Sequence, residues 1–212
     1  MKIKVCGMKY KDNIAAVAAL QPDYMGFIFY DKSPRNFDTE IPSISEDIKK
    51  VGVFVDAPIN IVLEKIYKFG FKALQLHGQE SIEYCEDLKS KLAKLPQPLE
   101  IWKVFSIKDT FDFSRLTPYE GIVDCFLFDT KGKEKGGNGY TFDWTALKNY
   151  PSKTPFILSG GIGLNEIDNL KAILNTDLPI YAIDVNSKFE IEPGLKNREE
   201  LEKFKNALLV DC

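Results

Sequence analysis

A chain of 212 residues, 44% of them hydrophobic, is long enough to bury one large core and approaches the length of a lean eight-fold barrel. With 28 Lys and Arg against 31 Asp and Glu and a pI near 5.4, it lacks both the cationic surplus of a general nucleic-acid binder and the polarity of a disordered tail. The expected partner is therefore a small molecule, neither nucleic acid nor membrane: no stretch approaches the about 20 apolar residues of a membrane span.

Short apolar runs and helical spacings alternate along the chain. The opening MKIKVCG enters an apolar run, Ile3–Cys6, with no leader pattern before it, which gives the expectation of a cytoplasmic protein. Helical apolar spacing follows over Asn13–Leu20, then a strand-like run over Tyr24–Phe29 and a polar loop, Tyr30–Ile41. The run Val51–Val55 precedes a helix over Ile59–Phe69, which Pro58 introduces and Gly70 ends. Next come Ala73–Leu76, a helix over Ser81–Leu92, the Pro-containing connection Leu95–Pro98, and the runs Ile101–Phe105 and Ile122–Phe128. A second long polar segment, Thr130–Thr141, leads to YTFDW, where Phe142, Asp143 and Trp144 read as the start of a helix. The chain closes with Pro155–Leu158, a helix over Leu164–Leu174, Ile180–Val185 and a helix over Arg198–Leu209. Near-continuous hydrophobic strands interleaved with helices indicate a parallel sheet covered by helices. Eight such runs favour closure, so residues 1–212 are expected to form a single (β/α)8 TIM barrel with parallel strands.

In a barrel of this kind the chemistry lies on the loops after the carboxyl ends of the strands. Reading only those positions gives Cys6, Arg35 in its loop, His77, Asp129, Ser159, Gly160 and Gly161, and Asp184 through Ser187, including Asn186. The glycines of SGGIG allow backbone N–H groups to approach an anion ahead of a helix, and loops seven and eight together form the recurrent phosphate site of such barrels. Cys6, Cys85, Cys125 and Cys212 are scattered, with no C-x-x-C pair and only His77 as a histidine, so neither a zinc site nor a disulfide framework is expected.

The segments KVCGMK, YDKSPRNF, VGVFVD, LQLHG, LFDTKGKEKGGNGYTFDW, ILSGGI, AIDVNS and PGLK occur in order along the whole chain. On these segments the chain resembles the phosphoribosylanthranilate isomerase family of tryptophan biosynthesis. The resemblance implies an Amadori rearrangement of N-(5′-phosphoribosyl)anthranilate to 1-(2-carboxyphenylamino)-1-deoxyribulose 5-phosphate, with no metal or organic cofactor. It places the family's general base on Cys6, its general acid on Asp129, its carboxylate-binding arginine on Arg35 and its acidic residue after strand eight on Asp184. The chemistry suits these groups, since an acid must protonate the furanose ring oxygen and a base must remove the C2′ proton. Asp129 must then keep its proton, and Cys6 needs donors or positive charge nearby to reach the thiolate.

Two departures from the family pattern stand out: Lys188 occupies a position that is usually small, and Lys131–Lys135 is unusually charged. The role of His77 stays open. Cys6 argues against the histidine-pathway and bifunctional barrel isomerases, which carry an aspartate at the first-strand position, and one histidine cannot supply a metal-dependent epimerase. A catalytically silent binding barrel is the remaining alternative. The apolar residues are absorbed by strands and helix faces, so the expected state is a monomer, with a homodimer as the alternative.

Overall fold

In a computed structural model, describing residues 1–107, 111–130 and 144–209, eight parallel strands pair in sequence order and close on themselves. They are β1 (Lys2–Val5), β2 (Tyr24–Phe29), β3 (Lys49–Phe54), β4 (Ala73–Leu76), β5 (Glu100–Ile107), β6 (Cys125–Thr130), β7 (Phe156–Ser159) and β8 (Ile180–Val185). The closing pair is β1 with β8, in which Lys4 lies opposite Asp184 and Val5 opposite Val185. A short antiparallel hairpin, β9 (Glu190–Glu192) and β10 (Leu195–Lys196), follows β8.

Outside the barrel lie α1 (Lys11–Ala18), α2 (Ile59–Phe69), α3 (Ile82–Leu92), α4 (Ile167–Leu174) and α5 (Arg198–Leu209). Local chemistry sets their ends. The Ser81 hydroxyl accepts the Tyr84 N–H at 3.2 Å to start α3, and Gly70 stops α2 at φ +65°, where a side chain would be strained. Buried faces such as Val62, Ile66 and Phe69 of α2 pack against outward strand residues in the larger of two hydrophobic clusters. No helix among the described residues is long and apolar enough to cross a membrane.

The barrel departs from the sequence expectation in its connections. No helix separates β2 from β3, and β3 starts at Lys49 because Lys49 and Lys50 pair with Tyr24 and Met25. β6 starts at Cys125, since Ile122 and Val123 still close the turn onto Tyr119. Short 3-10 turns, Phe113–Arg115, Thr117–Tyr119 and Trp144–Asn149, occupy the β5–β6 and β6–β7 connections. Trp144 thus opens a 3-10 turn, while Phe142, Asp143 and Lys131–Lys135 lie outside the described residues. After SGGIG the chain first makes a 3-10 turn, Leu164–Glu166, and only then α4.

Candidate active site

Side chains alternate along a strand, so every second residue faces the barrel interior. Near the amino ends of the strands those inward positions hold the smaller hydrophobic cluster, with Ala73, Cys125, Leu127, Ile157 and Ala182 among its members. Continuing upward at the same period, the inward row turns polar: Ala73 leads to Gln75 and His77, Leu127 to Asp129, Ile157 to Ser159, and Ala182 to Asp184 and Asn186. These upper residues, with Cys6, Gly160, Gly161, Ser187 and Lys188, line one cavity of about 240 Å³.

Cys6 follows β1 and is 3% exposed. Its place depends on Gly26 of β2, because a Cβ there would stand 2.9 Å from Cys6 Sγ and 3.2 Å from Lys4 Cε. Burial pushes the thiol up, the Lys4 ammonium opposes that, Asp184 adds to the rise, and Lys196 opposes it again; the balance remains upward. The sulfur therefore rests as a thiol beside a cation that would favour its ionised form.

Lys4 is fully buried between Ile3 and Val5 of β1, and its Nζ donates to Gln75 Oε1 and Asp184 Oδ1, each at 2.8 Å. Burial pulls Lys4 down, but the Asp184 carboxylate, joined by the Cys6 sulfur whenever that is ionised, more than compensates, so Lys4 stays charged. Asp184 uses its other oxygen to accept Ser159 Oγ at 2.9 Å, which ties the start of the glycine loop to the ion pair. On the far side, Asp129 Oδ2 lies 3.5 Å from His77 Nε2, and His77 Nδ1 lies 3.2 Å from Gln75 Nε2.

Loop seven has Gly160 at φ +90° and Gly161 at φ +67°, conformations that only glycine adopts freely, and nothing lies within 4 Å of where a Gly161 Cβ would be. Asn186 and Ser187 bring loop eight to the same cavity. Lys188 lines it too, and its Cβ would stand 3.2 Å from a Cβ on Gly163.

Arg35 does not line this cavity. Its Nε donates to Glu190 Oε1 (2.9 Å) and Oε2 (3.0 Å), and its Nη2 to Oε2 (2.5 Å). Glu190 also takes Lys196 Nζ at 2.6 Å, and Lys196 Nζ reaches Asn186 Oδ1 at 2.6 Å. Burial pushes Glu190 up, but hydrogen bonds from Arg35 and Lys196 outweigh it and hold it down to about 2. The clamp uses one edge of the guanidinium and fixes its direction; the Nη1 end makes no hydrogen bond to a described residue. Arg35 Cδ and Asn186 Oδ1 would each stand 2.8 Å from a Cβ on Gly7, so Gly7, at φ +71°, lets loops one, two and eight converge.

Sequence reasoning missed Lys4, Gln75, Glu190 and Lys196. For the first two a signal was present, namely a polar residue at an inward position of an apolar strand. No three His, Cys, Asp or Glu side chains among the described residues gather to hold a metal ion.

The chain is similar to known proteins over nearly its whole length. Residues 3–207 match a family model described as N-(5'phosphoribosyl)anthranilate (PRA) isomerase. The N-(5'-phosphoribosyl)anthranilate isomerase of Parabacteroides distasonis is 45% identical, covering 99% of this chain and 94% of its own. That of Phocaeicola vulgatus is 40% identical, covering 98% of each. The crystal structure of phosphoribosyl anthranilate isomerase from Thermotoga maritima superposes with a TM-score of 0.80 at 27% identity, over 98% of each chain. The chain thus belongs to the N-(5'-phosphoribosyl)anthranilate isomerase family.

Proposed function

We propose that the cavity at the carboxyl end of the barrel converts N-(5'-phosphoribosyl)anthranilate to 1-(2-carboxyphenylamino)-1-deoxyribulose 5-phosphate, with Asp129 as general acid and Cys6 as general base. The observation that carries this reading is that Cys6, after β1, and Asp129, on β6, line one cavity together with the Gly160–Gly161 loop. Asp129 gives its proton to the ring oxygen as the C1′–O bond breaks and the anthranilate nitrogen forms a Schiff base with C1′. Cys6, ionised beside Lys4, takes the proton from C2′, and the C2′–H electrons form the enolamine; C1′ then regains that proton from the thiol while the 2′-hydroxyl gives its proton to the Asp129 carboxylate, which leaves the ketone at C2′ and restores both groups. Lys4 stabilises the thiolate that burial otherwise disfavours.

The phosphate sits between Gly160–Gly161 and Asn186–Ser187, where loop N–H groups face an anion. Ser159, held by Asp184, sets the first turn of that loop. The free end of Arg35, oriented by Glu190, takes the anthranilate carboxylate at the cavity mouth. The enzyme works in the cytoplasm as a monomer and uses no metal.

Asp129→Asn tests the reading. Size and hydrogen bonding are kept while the transferable proton is lost, so product binding should persist and turnover should fall about 10²–10⁴-fold. Full turnover in that variant would remove Asp129 from the mechanism.

A further inference from the structure

A line of contacts runs beneath the cavity from Lys4 to Asp129, and elementary donor and acceptor counting fixes its direction. An ammonium only donates, so the atom of Gln75 at 2.8 Å from Lys4 Nζ is the carbonyl Oε1. The atom facing His77 Nδ1 at 3.2 Å is then Nε2, which carries only hydrogens. A donor pointed at Nδ1 requires a bare ring nitrogen, so the imidazole proton lies on Nε2, the nitrogen 3.5 Å from Asp129 Oδ2.

We propose that Gln75, oriented by Lys4, locks His77 as the neutral Nε2–H tautomer, and that this ring N–H engages Asp129 Oδ2 and leaves the Asp129 proton on Oδ1, facing the substrate. The second half rests on the reading of Asp129 as general acid; the tautomer lock does not. Gln75 and His77 are positioning residues for that proton. A charged imidazole would set its Nδ1–H against the Nε2 hydrogens of Gln75, which is 2% exposed and has no room to reorient without abandoning Lys4. It would also favour the carboxylate form of Asp129, which has no proton to give.

Of the other groups around the ring, an ionised Asp129 or Cys6 would favour a charged imidazole, and the protonated forms of both leave it neutral. Within the site cavity the titratable groups are Cys6, Asp129, Asp184 and Lys188, with Asp184 neutralised by Lys4 at 2.8 Å. On its other side the ring lines a second cavity with Glu80, Lys103 and Arg115, where Lys103 is neutralised by Glu80 at 2.9 Å. Lys188 and Arg115 remain as cations, and both oppose a further positive charge on His77.

The chain has a single histidine, so the ring-nitrogen NMR spectrum of the 15N-labelled protein reports on His77 alone. The expected spectrum at neutral pH is one species with Nε2 protonated and Nδ1 bare. Gln75→Glu keeps an oxygen for Lys4 but turns an acceptor toward Nδ1. It should protonate both ring nitrogens at neutral pH, move the limb of the kcat profile on which the acid deprotonates to lower pH, and reduce kcat at least about 10-fold with KM changed less than about 2-fold. Gln75→Met, which lacks any donor, should show mixed tautomers and an intermediate kcat. An Nδ1–H or doubly protonated ring in the unmodified protein would overturn the proposal, as would a Gln75→Glu variant with unaltered ring signals and pH profile. If Asp129→Asn keeps full turnover while the ring still shows Nε2–H, the acid assignment fails and takes the second half of the proposal with it, and the tautomer lock stands.

Discussion

At the amino end of the barrel, Glu100 collects the hydroxyls of Tyr24 (3.3 Å) and Tyr181 (3.1 Å), the indole N–H of Trp102 (3.0 Å) and Lys49 Nζ (3.4 Å). At the carboxyl end, Asp184 collects Lys4 and Ser159, and Glu190 collects Arg35 and Lys196. Both ends gather polar groups from separate strands and loops, but the amino-end carboxylate is partly exposed (Glu100 26%, Lys49 45%), whereas Lys4, Asp184 and Lys196 at the carboxyl end are buried. They differ in what is left over. None of the amino-end groups lines the site cavity, whereas at the carboxyl end Cys6, Asp129 and His77 are positioned by the buried network and still face open space. A polar cluster is therefore structural when its bonds close on one another, and suited to function when they hold further groups toward a cavity.

Substitutions at the two ends should separate these roles. The largest effect is expected for Lys4→Met, which leaves the Asp184 carboxylate buried without its cation and should cost about 3–5 kcal/mol of stability. Urea denaturation should show this, and the remaining folded enzyme should turn over poorly because the cation beside Cys6 is gone. A loss below about 1 kcal/mol would mean that Asp184 finds another partner. Next, Arg35→Ala should weaken binding of a product analogue by about 1.5–3 kcal/mol in calorimetry, with little effect on kcat. Unchanged affinity would leave Arg35 as only the partner of Glu190.

Glu190→Gln should act through pH. Because the folded protein holds Glu190 at about 2, below its ordinary 4.5, its stabilising contribution is complete above about pH 4.5 and is lost as pH falls through about 2. The stability gap between this variant and the unmodified protein should therefore narrow across that window, and a constant gap would show that the pairing is not the cause. The smallest effect is expected for Tyr24→Phe at the amino end. It should cost about 1 kcal/mol in denaturation and leave turnover per folded molecule unchanged. A large fall in kcat there would erase the distinction between the two ends.

The barrel itself was legible because each strand is a short run of β-branched and aromatic residues, and period-two alternation then assigned the strand ends. Connections were less legible. The β2–β3 link carries no helix, and nothing in its composition distinguishes a long loop from a poor helix. At the site, Cys6, Asp129, Ser159, Gly160, Gly161, Asp184, Asn186 and Ser187 could be named in advance because they stand at strand ends, and they line one cavity. The partnership of Arg35 with Glu190 was not legible, because those residues lie 155 positions apart and meet only through the hairpin after β8. Lys4 could have been singled out, since a lysine between Ile3 and Val5 must either break the strand or find a buried carboxylate, and Asp184 is its neighbour across β1 and β8.

The central claim is that Cys6 is the base at the carboxyl end, and Cys6→Ser tests it most directly. A serine hydroxyl fills the same space but is far too weakly acidic to remove the C2′ proton near neutral pH. Single-turnover loss of the fluorescence of N-(5'-phosphoribosyl)anthranilate at saturating enzyme should slow by roughly 10³-fold or more, while product affinity and the denaturation midpoint stay near those of the unmodified protein. A Cys6→Ser variant that turns over at close to the original rate would contradict the account.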